Sequence, residues 1–305
     1  MTEPTVAVVI LTYNEERHIE RCIESVVPFA DEIHVVDSFS EDRTIELARE
    51  RGAAVVEHEF QNQAQQFNWA LDNLQIDSDW ILRLDADEYA DRTFRTEVLD
   101  FLSTVDADVD GVYVRRQIHF LGKWIEHGGV YPQWVLRLFR NGRGHMEPRW
   151  MDEHLVVEGE EARFDADIID DNKRPLGWWI DKHNRYSTRE AIELLDKEYG
   201  ILQRHTDDEN AVESDVLGDQ VERRRYLKNA YNRAPKFFRA FIYFVIRYFV
   251  RGGFLDGTRG LIWHFLQAGW YRFLVDAKVD EIKRAAGDDP ESIRQFIRDE
   301  YGHDV

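Results

Sequence analysis

Three acids stand within four residues at the end of an apolar run, Trp80-Ile81-Leu82-Arg83-Leu84-Asp85-Ala86-Asp87-Glu88. The run fits a buried strand. Asp85 and Asp87, one residue apart where the strand opens to solvent, have the spacing to grip a hard divalent cation, Mg²⁺ or Mn²⁺. Such ions take oxygen ligands and commonly share one or two carboxylates with substrate phosphates. A solvated acidic loop is the plainer reading of the same residues, and a lone Asp-x-Asp does not decide between them.

The elements that must position this pair are legible upstream. Val6-Ala7-Val8-Val9-Ile10-Leu11 is a β-branched run broken by Thr12-Tyr13-Asn14, after which Ile19, Cys22, Ile23 and Val26 fall on one helical face. Thr12 or Asn14 is expected to cap that helix, with Glu15 and Glu16 in its first turn. Ile33 to Asp37 is a second strand, Ala54-Val55-Val56-Glu57 a third, and Gln63 to Leu74 a helix. Strands alternating with helices predict a mostly parallel sheet with helices on both faces. Ligands of such sheets lie beyond the carboxyl ends of the strands, near a switch in strand order. Thr12, Tyr13, Asn14, Asp37, Asp85 and Asp87 all fall at those ends.

Leu11-Thr12-Tyr13-Asn14-Glu15, Val36-Asp37-Ser38-Phe39-Ser40-Glu41-Asp42-Arg43-Thr44 and Leu84-Asp85-Ala86-Asp87-Glu88 resemble glycosyltransferase family 2 in order and spacing across about the first hundred residues. Trp150-Met151-Asp152-Glu153-His154 and the aromatic, arginine-rich C-terminal part are similar to its lipopolysaccharide-core and exopolysaccharide branch. The resemblance implies the GT-A fold, a nucleotide-sugar donor (a UDP-sugar by default) and inverting transfer to a glycan or lipid-linked acceptor. It assigns Asp87 to the metal and Asp85 to ribose and metal. Asp37 would accept from the base, with Thr12 and Asn14 lining the nucleotide pocket. Tyr13 either stacks on the base or fills the core. Phe39 departs from the pattern, which often has glycine there.

Inversion needs a general base within hydrogen-bond reach of the acceptor hydroxyl. Asp152, Glu153 and His154 form the one dense titratable cluster after an aromatic strand region in the second half. The order of preference is Glu153, then Asp152, with His154 as an orienting group; a solvated turn is the alternative. Arg137, His145 and Arg149 are candidates for the pyrophosphate side. Trp124 to Gly129 and Trp178-Trp179 are candidates to stack on sugar rings, although buried tryptophans without ligands are commoner.

The chain has 305 residues, 43% of them hydrophobic, which suffices for one large domain with an appendage. Residues 1–175 are expected to form the catalytic domain, with a nucleotide-sugar half to about residue 110 and an acceptor half from 111. Residues 176–305 are expected to be a helical extension, with an acidic loop over Asp207 to Asp219. A net charge of −20 argues against nucleic acid as a partner. Cys22 is the single cysteine, so no internal disulfide forms and a reducing, cytoplasmic setting fits. No basic n-region with an apolar h-region opens the sequence, so no secretory signal is expected. Eight of the 39 basic residues are lysine, which suits either a salt-rich cytosol or an ordinary acidic protein. Lys236 to Arg251 and Leu261 to Val275 are aromatic and arginine-dotted, too short and too charged to span a bilayer. They read as helices lying on an anionic membrane surface or packed as core.

Two other functions share parts of this pattern. A sugar nucleotidyltransferase would want a glycine-rich, basic phosphate loop, whereas Thr12-Tyr13-Asn14-Glu15-Glu16 is acidic and lacks glycine. A catalytically silent carbohydrate-binding or scaffold protein would have no need of an intact Asp85-Ala86-Asp87.

Overall fold

The computed structural model describes residues 3–147, 154–202 and 235–303. They fall in two compact units, Met1–Arg174 and Pro175–Val305.

The first unit is α/β with a GT-A-like sheet. Its strands are β1 (Val6–Thr12), β2 (Glu32–Asp37), β3 (Ala54–Glu57), β4 (Trp80–Asp85), β5 (Glu88–Ala90), β6 (Val109–Phe120), β7 (Lys123–Trp124), β8 (Gln133–Arg140) and β11 (Glu160–Asp171). The main sheet runs β3-β2-β1-β4-β8-β6-β11-β5, with β7 on β6. The β3-β2-β1-β4 half is wholly parallel. Strand β8 joins it antiparallel to β4 and β6, and β6 pairs parallel with β11. The chain leaves β1 toward β2 and β3, then returns to place β4 on β1's other edge. That reversal is the switch point, and it lies between β1 and β4.

Alternation along β1 explains why helices cover both faces. Val6, Val8 and Ile10 pack with α1 (Ile19–Val26), α2 (Thr44–Glu50) and α4 (Arg92–Thr104). Val9, with Val36, Ile81 and Phe139, packs on the opposite side against Ala64, Phe67 and Ala70 of α3 (Gln63–Asn73). Period-two burial on both faces leaves little freedom of register. Cys22 is fully buried in the first of these layers. A short ribbon pairs β9 (Gly144–Met146) with β10 (Leu155–Val157).

The second unit is helical. Its long helix α5 (Leu176–Tyr199) ends at Gly200, which adopts φ 62° where a side chain would strain the turn. Ala191, Ile192 and Leu195 of α5 pack against Val275, Val279 and Ile282 of the helix Tyr271–Ala286 and against Ile293 and Ile297 of the helix Pro290–Tyr301. The segments Phe238–Val250 and Gly257–Trp270 are helices that pass from α into a π turn at their C-terminal ends. They are joined through Gly253, where a Cβ would lie 2.4 Å from the His264 ring. The acidic stretch Asp207 to Asp219 lies outside the described residues.

Candidate active site

Register brings the first two clusters together. Thr12 of β1 pairs with Asp37 of β2, and Leu11 pairs with Asp85 of β4 on the other edge. Thr12, Asp37 and Asp85 therefore end three adjacent strands, each about 4.8 Å from the next.

Asp37 is fully buried. Its Oδ2 accepts from Thr12 Oγ1 and Ser40 Oγ, each at 2.6 Å, and its Oδ1 accepts from the Ser40 amide at 2.6 Å. It ties the β1 and β2 loops into one rim. Ser40 Oγ in turn accepts from the Asn14 amide at 2.7 Å, and Asn14 Oδ1 accepts from the Glu41 amide at 2.9 Å. Asn14 and Phe39 both take left-handed backbone, at φ 56° and 60°. Neither Thr12 nor Asn14 caps α1, which begins at Ile19 after His18 and has no side-chain cap. Their polar groups are taken by the neighbouring loop instead. Tyr13 and Phe39 stand out from the rim at 57% and 56% exposure, so Tyr13 is not a core residue.

The Asp85–Glu88 turn sits on a buried lattice of charge. Asp85 Oδ2 accepts from Arg137 at 3.2 Å, and Oδ1 accepts from Arg83 at 3.3 Å and Gln63 at 3.2 Å. Burial raises the Asp85 carboxyl, but Arg137, Arg83 and Arg116 outweigh it and hold it well below the usual carboxylate range. Glu88 is fully buried; it accepts from Arg137 at 2.5 Å and from the Asp85 amide at 3.0 Å. Burial pushes the Glu88 carboxyl up against the pull of Arg137, and the Asp85 charge adds to the rise. Arg137, expected on the pyrophosphate side, is 5% exposed, and its Nη2 is paired with both of these acids. The Cys22 thiol is raised well above its usual range by burial and by the charges of Glu88, Asp87 and Asp85, which makes it a poor nucleophile.

Asp87 faces a different set of partners. Its Oδ2 accepts from Asn172 at 2.9 Å, and its carbonyl accepts from Arg21 at 3.2 Å. Arg21 also bonds Asp171 at 2.9 Å and lies 4.4 Å over the Tyr89 ring. The Lys173 amide donates to Nε2 of fully buried His18 at 2.9 Å, which assigns the proton to Nδ1 and lets it donate to Glu15 at 2.5 Å. Arg174 reaches the Asn14 carbonyl. The end of β11 and the residues that follow it, Asp171 to Arg174, thus close the rim opposite the β2 loop. Sequence reading missed it; the only signal was a dense polar run just before Pro175.

Among the described residues no three acids, histidines or cysteines are grouped to hold a metal by themselves. Asp85 and Asp87 still offer a part-exposed pair of oxygen donors, the chemistry Mg²⁺ or Mn²⁺ takes when phosphates complete its shell. The expected base residues Asp152 and Glu153, together with Arg149, lie outside the described residues. What brackets them is described: the Glu147 amide donates to the His154 carbonyl at 2.9 Å, and His145 and His154 are exposed. Met146 is held by Asn68 at 2.8 Å, and its sulfur accepts from Arg83 at 3.5 Å. Trp124 packs edge-on to Tyr131. Trp179 stacks on His183 at 3.5 Å, and Lys182 lies 5.0 Å from the Trp178 ring, both within the second unit.

A parallel half-sheet with an Asp-x-Asp turn at its switch point, continued by antiparallel strands, defines a GT-A-type transferase architecture. The glycosyl transferase family 2 model matches residues 7–153. The lipopolysaccharide core biosynthesis glycosyltransferase LpsC of Rhizobium meliloti is 31% identical over 197 residues, covering 61% of this chain and 70% of that protein. The chain belongs to glycosyltransferase family 2. An uncharacterized glycosyltransferase of Rickettsia bellii is 39% identical over 112 residues, 37% of this chain and 36% of that one, so the chain spans about a third of that relative's length. Mycobacterium tuberculosis glucosyl-3-phosphoglycerate synthase overlaps 37% of this chain and 44% of its own at 25% identity, with a TM-score of 0.33.

Proposed function

We propose that the protein is a metal-dependent, inverting glycosyltransferase. It moves a sugar from a nucleotide-sugar, by default a UDP-sugar, to a hydroxyl of a glycan or lipid-linked acceptor in cell-envelope polysaccharide or glycolipid synthesis. The observation that carries this reading is the convergence of Thr12, Asp37, Asp85 and Asp87 on one rim at the switch point. The similarity to LpsC supports the envelope-glycan class.

In this reading Met1–Arg174 is the catalytic unit. Tyr13 and Phe39 meet the base from their exposed positions, with Thr12, Asn14 and Asp37 holding the loops that carry them. Asp87, helped by Asp85, holds Mg²⁺ or Mn²⁺, which when bound neutralises charge gathering on the departing diphosphate. Arg137 and Arg83 keep the Asp85 carboxylate ionised and aimed. Glu153, or failing it Asp152, takes the proton from the acceptor hydroxyl. Met146 is tied to Arg83 and through it to Asp85. A lipid-linked acceptor sets the enzyme on the inner, cytoplasmic face of the cell membrane. The polar β1 loop without glycine speaks against a nucleotidyltransferase.

The test is transfer from a panel of nucleotide-sugars with Mn²⁺. Asp87→Asn should lower the rate about a hundredfold or more while the fold survives. Glu153→Gln should abolish transfer but leave UDP affinity unchanged, since the base acts on the acceptor. If Asp152→Asn is dead and Glu153→Gln active, the role moves by one residue. Full activity of Asp87→Asn, with unchanged metal dependence, would overturn the metal assignment.

A further inference from the structure

The helix Phe238–Val250 is amphipathic the wrong way round. Its exposed residues are Phe238, Phe241, Ile242, Ile246, Phe249 and Val250, at 40–75% exposure. They recur every three or four positions and so form one stripe along one face. Its charged Arg239 points inward instead, 7% exposed and paired with buried Asp276 at 3.0 Å. Among the described residues the inward face is occupied and the apolar face is left open. The segments that follow carry more of them: Phe254 and Leu255 are 48% and 60% exposed, Leu261 and Phe265 are 42% and 54%, and Phe273, on the helix Tyr271–Ala286, is 50%. Phe244 meets Phe265 edge-on across the two helices, and this many exposed large apolar side chains on adjoining segments mark an interaction site.

Charge selects the partner. Residues 235–275 contain the basic residues Lys236, Arg239, Arg247, Arg251, Arg259 and Arg272, and one acid, Asp256, which is 3% exposed. Lys236, Arg251 and Arg259 are exposed next to the apolar residues. The rest of a chain of net charge −20 is therefore more acidic still. A membrane of anionic lipid attracts the first region and repels the remainder, which orients the molecule. No described helix is long and apolar enough to cross a membrane. The Phe238–Val250 helix measures only about 20 Å at 1.5 Å per residue, against roughly 30 Å of hydrocarbon.

We propose that Phe238–Val250 and the segment from Phe254 to Phe273 form a wedge that lies in the interface of an anionic lipid bilayer, phenylalanines in the acyl region and Lys236, Arg251 and Arg259 among the headgroups. This deepens the lipid-acceptor part of the proposed function and rests on it for its biological purpose. The wedge itself is a physical property of the chain, measurable without donor, metal or acceptor.

The experiment is co-sedimentation with vesicles of equal parts phosphatidylglycerol and phosphatidylcholine, against vesicles of phosphatidylcholine alone. The wild-type chain should pellet with the first, bind the second about tenfold more weakly, and be released from the first in part by high salt. The double variant Phe241→Asp, Phe249→Asp should lower the bound fraction about tenfold or more. Phe241→Leu, Phe249→Leu should keep it. Both residues are exposed, so melting temperature and UDP binding should match wild type, which separates loss of docking from loss of fold or of donor binding. A wild-type chain that stays in the supernatant with anionic vesicles overturns the proposal. So does sedimentation-velocity evidence that the stripe closes a dimer which the aspartates split without changing vesicle binding. Vesicle binding without any sugar transfer would instead leave the wedge standing and sink the transferase reading.

Discussion

Phe39 holds a backbone conformation, φ 60°, that a bulky residue rarely adopts. Strain of this kind persists where surrounding structure imposes it, and it gathers at ligand sites. Asp37 and Ser40 supply the imposition here, by clamping the turn on both sides of Phe39. The result is a half-exposed aromatic ring on the rim. Phe39→Gly should therefore stabilise the protein by about 1 kcal/mol, the lower end of such strain, while weakening UDP binding. Urea unfolding and titration calorimetry measure the two effects. A gain in stability with unchanged affinity would show that the ring does not meet the base. Asp85 and Glu88 show the same division of labour at another turn. One acid is kept ionised by guanidinium groups at the rim, and the other is buried as their anchor.

Elements decide what a residue type means. Arg239 and Phe241 lie two positions apart in one helix, and the helix buries the arginine and exposes the phenylalanine. Nothing in their chemistry alone reverses the usual order; the salt bridge to Asp276 does. His264, at the end of the helix Gly257–His264, is fully buried against Trp263 and Tyr248, with neither ring nitrogen hydrogen-bonded. Burial, and Arg247 beside it, lower its pKa to about 4. Burial does the same for His183 on α5, also to about 4. Unfolded histidines take up protons near pH 6.5, and these two do so in the folded chain only near 4. Between those values the unfolded chain binds more protons, so stability falls as pH drops from about 6.5 to about 4 and is unaffected by these groups below that. His264→Leu should flatten part of that slope at little cost, because no hydrogen bond is lost. Urea midpoints measured across that pH range check it, and an unchanged slope would refute the burial of a neutral ring.

At the scale of the whole molecule, net charge is the dominant fact. A charge of −20 opposes compaction through self-repulsion. Raising salt from about 10 mM to about 1 M shortens the screening length from roughly 30 Å to roughly 3 Å. The thermal midpoint should rise across that range, while vesicle binding should weaken. A falling midpoint would mean that exposed pairs such as Arg51 with Glu20 contribute more than repulsion removes. The two responses have opposite signs because they arise in different regions: dispersed acids across the chain, and concentrated bases between Lys236 and Arg272.

The alternating sheet, the helices on both its faces and the strand-end place of Thr12, Asp37, Asp85 and Asp87 were all determined by the sequence alone. Each follows from a local periodicity or from an apolar run ending in polar residues, and such patterns survive without long-range information. Tertiary structure decided what those groups bond to. Asp37 closes a loop, Arg137 lies beneath the acids, and Asn172 and Arg21 reach Asp87 from residues far along the chain. It also decided that Tyr13 faces out and that the first helix starts at Ile19, beyond any cap from Thr12 or Asn14. Contacts between residues 66 or 85 positions apart, as between Arg21 or Asn172 and Asp87, carry no periodic trace. Only strand order brings them together, and strand order is set by which faces the whole chain succeeds in burying.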